Sequence, residues 1–137
     1  MTTDSTVTIV GNLTADPSLR FDPQGRPQAK WSVAVSRRRF DRQANEWVDA
    51  DTTFVICELW GDEAEHVAES LVKGQRVIVT GRFQTKRWET KDGQKRERIE
   101  LRVDDVGVSL KYGTATFKRA QSNAGVYRQP DPTEAPF

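Results

Sequence analysis

Gly81-Arg-Phe-Gln-Thr-Lys-Arg-Trp-Glu-Thr-Lys-Asp-Gly-Gln-Lys-Arg-Glu-Arg-Ile-Glu-Leu-Arg-Val103 reads as a long β-hairpin with an Asp92-Gly93 turn. Eight cations stand in it (Arg82, Lys86, Arg87, Lys91, Lys95, Arg96, Arg98 and Arg102) against four anions (Glu89, Asp92, Glu97 and Glu100). The whole chain of 137 residues has a net charge of only +1, so its positive charge is concentrated here. Trp88 sits between Arg87 and Glu89 on the polar flank of this hairpin, where no core is evident. A basic arm bearing an aromatic ring suits a polyanion whose monomers have flat faces. Single-stranded nucleic acid is such a ligand, with cations tracking phosphates and rings stacking on bases.

Upstream of the hairpin, Val77-Ile-Val-Thr80 reads as a buried strand. Before it comes one helix. Asp62 is placed to cap it, with Glu65 at the capping-box spacing. Ala64, Val67, Ala68, Leu71 and Val72 form its apolar stripe, and Gly74 fits the left-handed position after its end. Thr52 to Trp60 is a β-prone run. Ala29 to Ser36 alternates, with Ala29, Trp31, Val33 and Val35 on the inner side. Arg37 to Arg42 follows, and then a polar turn up to Asp51. Val7 to Val10 opens the fold, and Gly11 marks a bulge or a close backbone approach. Ile99, Leu101 and Val103 form the inward face of the return strand, Phe83 belongs to the core, and Val106 to Leu110 continues the strand. The order is strand, strand, strand, helix, strand, hairpin. That is the layout of a mainly β OB-fold, a five-stranded Greek-key barrel with one helix between strands 3 and 4. It spans residues 1–112. Residues 113–137 are poor in apolar side chains and read as a flexible tail.

Several functions have no footing in the sequence. Phosphate-gripping loops of the P-loop or dinucleotide type are missing. Cys57 is the only cysteine and His66 the only histidine, so neither a disulfide nor a zinc cluster can be built. Asp62, Glu63, Glu65 and Glu69 read as the solvated face of the helix, and no metal or cofactor is expected. Nucleophile, base and orienting group cannot be assembled, which argues against an enzyme. No run of 18 apolar residues marks a membrane span, and no signal peptide is legible, so the expected location is the cytoplasm.

The large aromatics divide between core and surface. Trp31 alternates with Val33 and Val35 and belongs inside. Phe54 and Trp60 share a mixed face with Ile56 and Glu58, and Phe40 lies in the basic run containing Arg37, Arg38, Arg39 and Arg42. Phe40, Phe54, Trp60 and Trp88 are the candidate stacking rings. Arg37, Arg39, Lys86, Arg87, Arg96 and Arg98 are the candidate phosphate contacts.

Val7-Thr-Ile-Val-Gly-Asn-Leu-Thr-Ala-Asp-Pro17 with Arg20, the Trp60-Gly61 step, Val72-Lys-Gly74 before Val77 to Gly81, and Lys86-Arg-Trp88 before Asp92-Gly93 resemble the bacterial single-stranded DNA-binding protein (SSB) family. The resemblance covers roughly residues 5 to 112, and its wording is closest to the actinobacterial branch. It implies an OB-fold homotetramer, associated with the nucleoid, that wraps single-stranded DNA in replication, recombination and repair. It implies stacking by Phe40, Phe54, Trp60 and Trp88, with Arg39 in the place of Phe40 if the gap is shifted. It implies backbone contacts from Arg20, Lys73, Lys86 and Arg87. Asp62 and Ile56 depart from the lysine and arginine common in the family. The end of the chain keeps a terminal Pro136-Phe137, but with only Asp131 and Glu134 as acids and a short linker. About 20 flexible residues span about 25 Å. Docking of replication and repair proteins on this tip is expected. The departures leave room for a specialised paralogue or a phage or plasmid copy, and for an OB-fold that prefers RNA or assists a primosome.

Overall fold

A computed structural model describes residues 5–121. Within them the elements are β1 (Thr6–Leu13), β2 (Ser18–Phe21), β3 (Pro27–Asp41), β4 (Glu46–Trp60), α1 (Asp62–Ser70), β5 (Arg76–Glu89) and β6 (Lys95–Val108). The order across the sheet is β1-β5-β6-β4-β3-β2, and a further β1–β3 pairing closes it into a barrel. Neighbours run antiparallel except β4 and β6, which meet in parallel at Cys57–Leu101 and Glu58–Arg102. This is the expected OB-fold. The short β2, which the sequence reading did not include, adds a sixth strand, so the helix follows the fourth strand rather than the third.

Alternation along the strands sorts the side chains. Ala29, Trp31 and Val33 of β3, Cys57 and Leu59 of β4, Val77 and Val79 of β5 and Leu101 and Val103 of β6 point inward and are buried. Ala64, Val67 and Leu71 seal the core from α1 and the residue after it. Each buried aliphatic side chain of this kind stabilises the fold by about 1.5–3 kcal/mol. Two close approaches permit the closure. A Cβ on Gly11 would lie 2.2 Å from the Ala34 carbonyl oxygen, and one on Gly81 would lie 2.2 Å from that of Arg102. The close approach expected at Gly11 is therefore the point where β1 crosses to β3.

Four expectations need correction. Helix α1 is capped at Gly61 (φ +95°) without a side-chain hydrogen bond, so Asp62 is its first residue and no capping box forms. The acids Asp62, Glu63 and Glu65 in the first turn still face the positive end of the helix dipole. Gly74 does not end the helix. Leu71 does, in an extended conformation, while Gly74 (φ +87°) turns the chain so that its N–H donates to Leu13 O at 2.8 Å. The polar turn after Arg42 is shorter than read, because β3 continues to Asp41 and β4 begins at Glu46. Finally, Phe83 and Ile99 lie on the inward side of the β5–β6 hairpin but are exposed: Phe83 stands opposite the buried Leu101 at the edge of the core, and Ile99 lies beyond it towards the hairpin tip. The Asp92-Gly93 turn is as read, with Gly93 at φ +80° and the Gly93 N–H donating to Thr90 O.

After β6 the chain carries no further strand or helix up to residue 121. Thr114 to Phe117 nevertheless line a cavity of about 590 Å³ with His66, Val67 and Leu71 of the helix region and with Val106 and Val108. No helix among the described residues is long and apolar enough to cross a membrane.

Gly11→Ala should destabilise the fold by about 3 kcal/mol, the upper end of overpacking costs, because the obstacle is backbone. Urea unfolding of parent and variant at matched concentration measures it, and equal midpoints would show that β1 can shift freely. Burial also pushes the Cys57 thiol up to about 12. At pH 8 the folded protein should therefore resist thiol-reactive disulfides that label it at once in denaturant.

Candidate nucleic-acid interface

The side chains that point away from the core form one continuous outer face. Cross-strand pairing places Ser18 beside Lys30 and Glu58, and Arg20 beside Gln28 and Trp60. Further along β3–β4, Ile56 lies opposite Ser32 and Phe54 opposite Ala34. Because the β3 partners there are small, the Phe54 ring is left 66% exposed. On the hairpin the same face carries Gln84 opposite Glu100, Lys86 opposite Arg98 and Trp88 opposite Arg96.

Two carboxylates lie beneath this face. Glu58 and Glu100 are each only 1% exposed. Glu58 accepts from Lys86 Nζ (3.3 Å to Oε1, with the ion pair 3.1 Å to Oε2), from Gln84 Nε2 (3.3 Å to Oε2) and from the Trp60 indole N–H. Burial pushes its carboxyl up, but the hydrogen bonds from Lys86, Trp60 and Gln28 and the lysine charge outweigh burial and hold it below its ordinary value. Glu100 Oε2 accepts both Arg98 Nη2 (2.7 Å) and Arg98 Nε (3.0 Å). Its Oε1 is 3.4 Å from Lys30 Nζ, an ion pair without hydrogen-bond alignment. Acids buried in this way tie down the cations above them: Lys30, Lys86 and Arg98 are held by their heads in one layer.

The rings are set into that layer. Trp60 is half-buried, pinned by its N–H to Glu58, with the Arg26 guanidinium 4.9 Å above its ring centre. Trp88 is 44% exposed, with the Arg98 guanidinium 5.4 Å from its ring centre. Trp88, Lys95 and Arg96 line an open pocket of about 430 Å³ near the hairpin tip. Such contacts keep each ring oriented while leaving a face or an edge for a ligand.

Of the residues proposed from sequence, Arg20, Phe40, Phe54, Trp60, Lys86, Trp88, Arg96 and Arg98 fall on the outer face. Four do not. Arg37 (opposite Asp51), Arg39 (opposite Val48) and Arg87 (opposite Glu97) point to the other side, because successive strand residues alternate. Arg37 and Arg87 are paired with carboxylates there, at 3.8 and 3.2 Å. Lys73 stands on the turn between α1 and β5, its backbone N–H on Asp16 Oδ1. Asp131, Glu134, Pro136 and Phe137 lie outside the described residues. Sequence reasoning missed Arg26, Lys30, Glu58 and Glu100. Only Glu58 carried a signal, its place between Phe54 and Trp60 on a mixed face. Among the described residues no three His, Cys, Asp or Glu side chains come together to hold a metal ion.

The chain is similar to known proteins in both sequence and fold. The model of the single-strand binding protein family matches residues 4–109. A single-stranded DNA-binding protein of Paenarthrobacter aurescens is 50% identical over 123 residues, which cover 90% of this chain and 72% of that protein. One from Mycolicibacterium smegmatis is 51% identical over 120 residues, 88% of this chain and 73% of that protein. The crystal structure of a small single-stranded DNA-binding protein from Streptomyces coelicolor matches with a TM-score of 0.71 at 29% identity, covering 83% of this chain and 100% of that one. With its barrel, its outer strip and a family match over most of its length, this chain belongs to the single-strand binding protein family.

Proposed function

We propose that this chain binds single-stranded DNA on the outer face of its barrel without sequence preference. The observation that carries the reading is the set of three rings, Phe54, Trp60 and Trp88, on one face, with Lys30, Lys86 and Arg98 held between them by buried carboxylates. Rings stack on any base, and cations neutralise any phosphate, so nothing in the arrangement selects a sequence. Arg20 and Arg96, which have no carboxylate partner among the described residues, extend the phosphate track at either end of the strip. The role is binding rather than catalysis: coating single strands during replication, recombination and repair, in the cytoplasm at the nucleoid.

Assembly into a homotetramer fits two further features. One OB barrel offers only about 4–16 nucleotides of track. The barrel also leaves Ile78, Phe83 and Ile99 uncovered, apolar side chains that a second copy would bury. Beyond residue 112 we assign the chain to a tail whose tip, Asp131 to Phe137, docks replication and repair proteins. A basic-rimmed apolar pocket would accept the Phe137 ring beside the acids Asp131 and Glu134.

Trp88→Ala should weaken oligo-dT binding by about 1–3 kcal/mol while the protein stays folded. Fluorescence titration over a salt series checks this and the charge component together. The log–log slope should be about −0.7 per phosphate contact, and flatter in Lys86→Gln. Unchanged affinity in Trp88→Ala, or a slope near zero in the parent, would overturn the reading. Light scattering at micromolar concentration should give a particle of about four times 15.5 kDa. A monomer would remove both assembly and wrapping.

A further inference from the structure

Beyond the barrel, β3 and β4 continue as a two-stranded arm ending at Asp41 and Glu46. Near its end Phe40 is paired directly with Trp47, their ring centres 5.5 Å apart and their planes at 62°. Trp47 is 62% exposed, too open for a core residue.

Its number alone places Trp47 on the wrong side. The outer face of β4 is made of even residues, Phe54, Ile56, Glu58 and Trp60, and odd residues such as Cys57 and Leu59 point into the core. The pairing, however, shifts between Arg37 and Arg38: Arg37 faces Asp51, Arg38 faces Asp49, and Ala50 has no partner. This one-residue bulge exchanges the two sides of β4. Beyond it the odd residues Asp49 and Trp47 join Arg38 and Phe40, which continue the side of Ala34 and Ser36. The bulge thus brings Trp47 onto the face that carries Phe54.

The arm is also electrically balanced. From Arg37 to Asp51 it has four arginines (Arg37, Arg38, Arg39 and Arg42) and four acids (Asp41, Glu46, Asp49 and Asp51). Arg37 and Arg38 are paired with Asp51 and Asp49 at 3.8 and 3.4 Å. What this surface offers a ligand is therefore aromatic area rather than charge.

We infer that Trp47, set edge-on against the Phe40 ring that the family resemblance already implies, is a further base-stacking residue that lengthens the DNA track past Phe54 and acts without a phosphate contact. This rests on the reading that the outer face binds single-stranded DNA. Two features separate it from the platform at Trp88: its indole is delivered by a bulge, and its contribution is insensitive to salt.

The test is a titration of the full chain with oligo-dT over a salt series, using Trp47→Ala, Trp47→Phe and a deletion of Ala50. Trp47→Ala should bind roughly tenfold more weakly, within the range of one lost base stack, with its salt slope equal to that of the parent. Trp47→Phe should recover most of the affinity, but with less fluorescence quenching at saturation. Deleting Ala50 removes the extra residue but leaves Asp49 opposite Arg38 and Trp47 opposite Phe40, so this variant should bind about as tightly as the parent. Because Trp47 is exposed, both point variants should fold, which far-ultraviolet circular dichroism verifies. A ring pair that only holds the arm together would lower the melting temperature and leave affinity unchanged, and that result overturns the inference. A loss accompanied by a flatter slope also overturns it, since the arm would then act by charge. Failure of the parent itself to bind oligo-dT would instead overturn the functional reading on which the inference stands.

Discussion

The contact that everything else depends on is the approach of β1 to β3 at Gly11, where the chain passes so close to the Ala34 carbonyl that no side chain fits. β1 pairs with β5 over most of its length and reaches β3 only at Asn12 and Leu13. Without that crossing the sheet would stay open, with two free edges and two solvated faces. Once it is closed, one face becomes a sealed core and the other a continuous convex surface. Gly81 makes a matching approach to Arg102 on the hairpin that carries Trp88. The surface that holds the rings is thus set by two glycines that never touch a ligand.

Closure brings a second constraint. At the middle of the outer face, β3, β4, β5 and β6 crowd together closely enough to bury Glu58 and Glu100. A buried carboxylate is costly unless it is paired, and here each is paired with cations on neighbouring strands. For the proposed DNA contact the consequence is order rather than charge. Free lysine and arginine side chains lose rotamer freedom when they grip a phosphate. Lys30, Lys86 and Arg98 have already lost much of it, and the Trp60 indole is fixed by the same acid. Each acid also offsets part of the positive potential above it. The strip therefore trades electrostatic strength for preorganisation, with Arg20 and Arg96 left to supply unshared charge at its ends.

Much of this was legible in the sequence. The hairpin with its Asp92-Gly93 turn, the inward run of Ala29, Trp31 and Val33, the close approach at Gly11 and the surface rings Phe54, Trp60 and Trp88 all follow from local pattern. Two of the failures share one physical cause, which is that exposure and pairing are decided by distant strands. Phe83 and Ile99 have the alternation of core residues, but they stand at and beyond the edge of the core, where no other described element covers them. Glu58 and Glu100 look like surface acids until β3 and the hairpin close over them. Arg37, Arg39 and Arg87 were grouped with their neighbours by composition, although strand alternation sends them to the opposite side from Phe40 and Trp88.

Bulges decide two further placements, and one of them is visible in the spacing once its meaning is known. On β6 the inward residues are Leu101 and Val103, and then Val106 and Val108, so the step from Val103 to Val106 is three where an unbroken strand requires two. The pairing shifts there, between Thr80 and Gly81 on the partner strand, and leaves Asp104 as the extra residue. Val106 and Val108 are inward because of that shift, and the barrel wall continues past it. The same change of parity at Ala50 operates on the outer face, where it brings Trp47 to the side of Phe54. In one strand the extra residue keeps apolar side chains in the core, and in the other it keeps an aromatic side chain on the surface. A single mechanical rule, that one inserted residue exchanges the two faces of a strand, thus governs both the packing of the barrel and the length of the aromatic strip it presents.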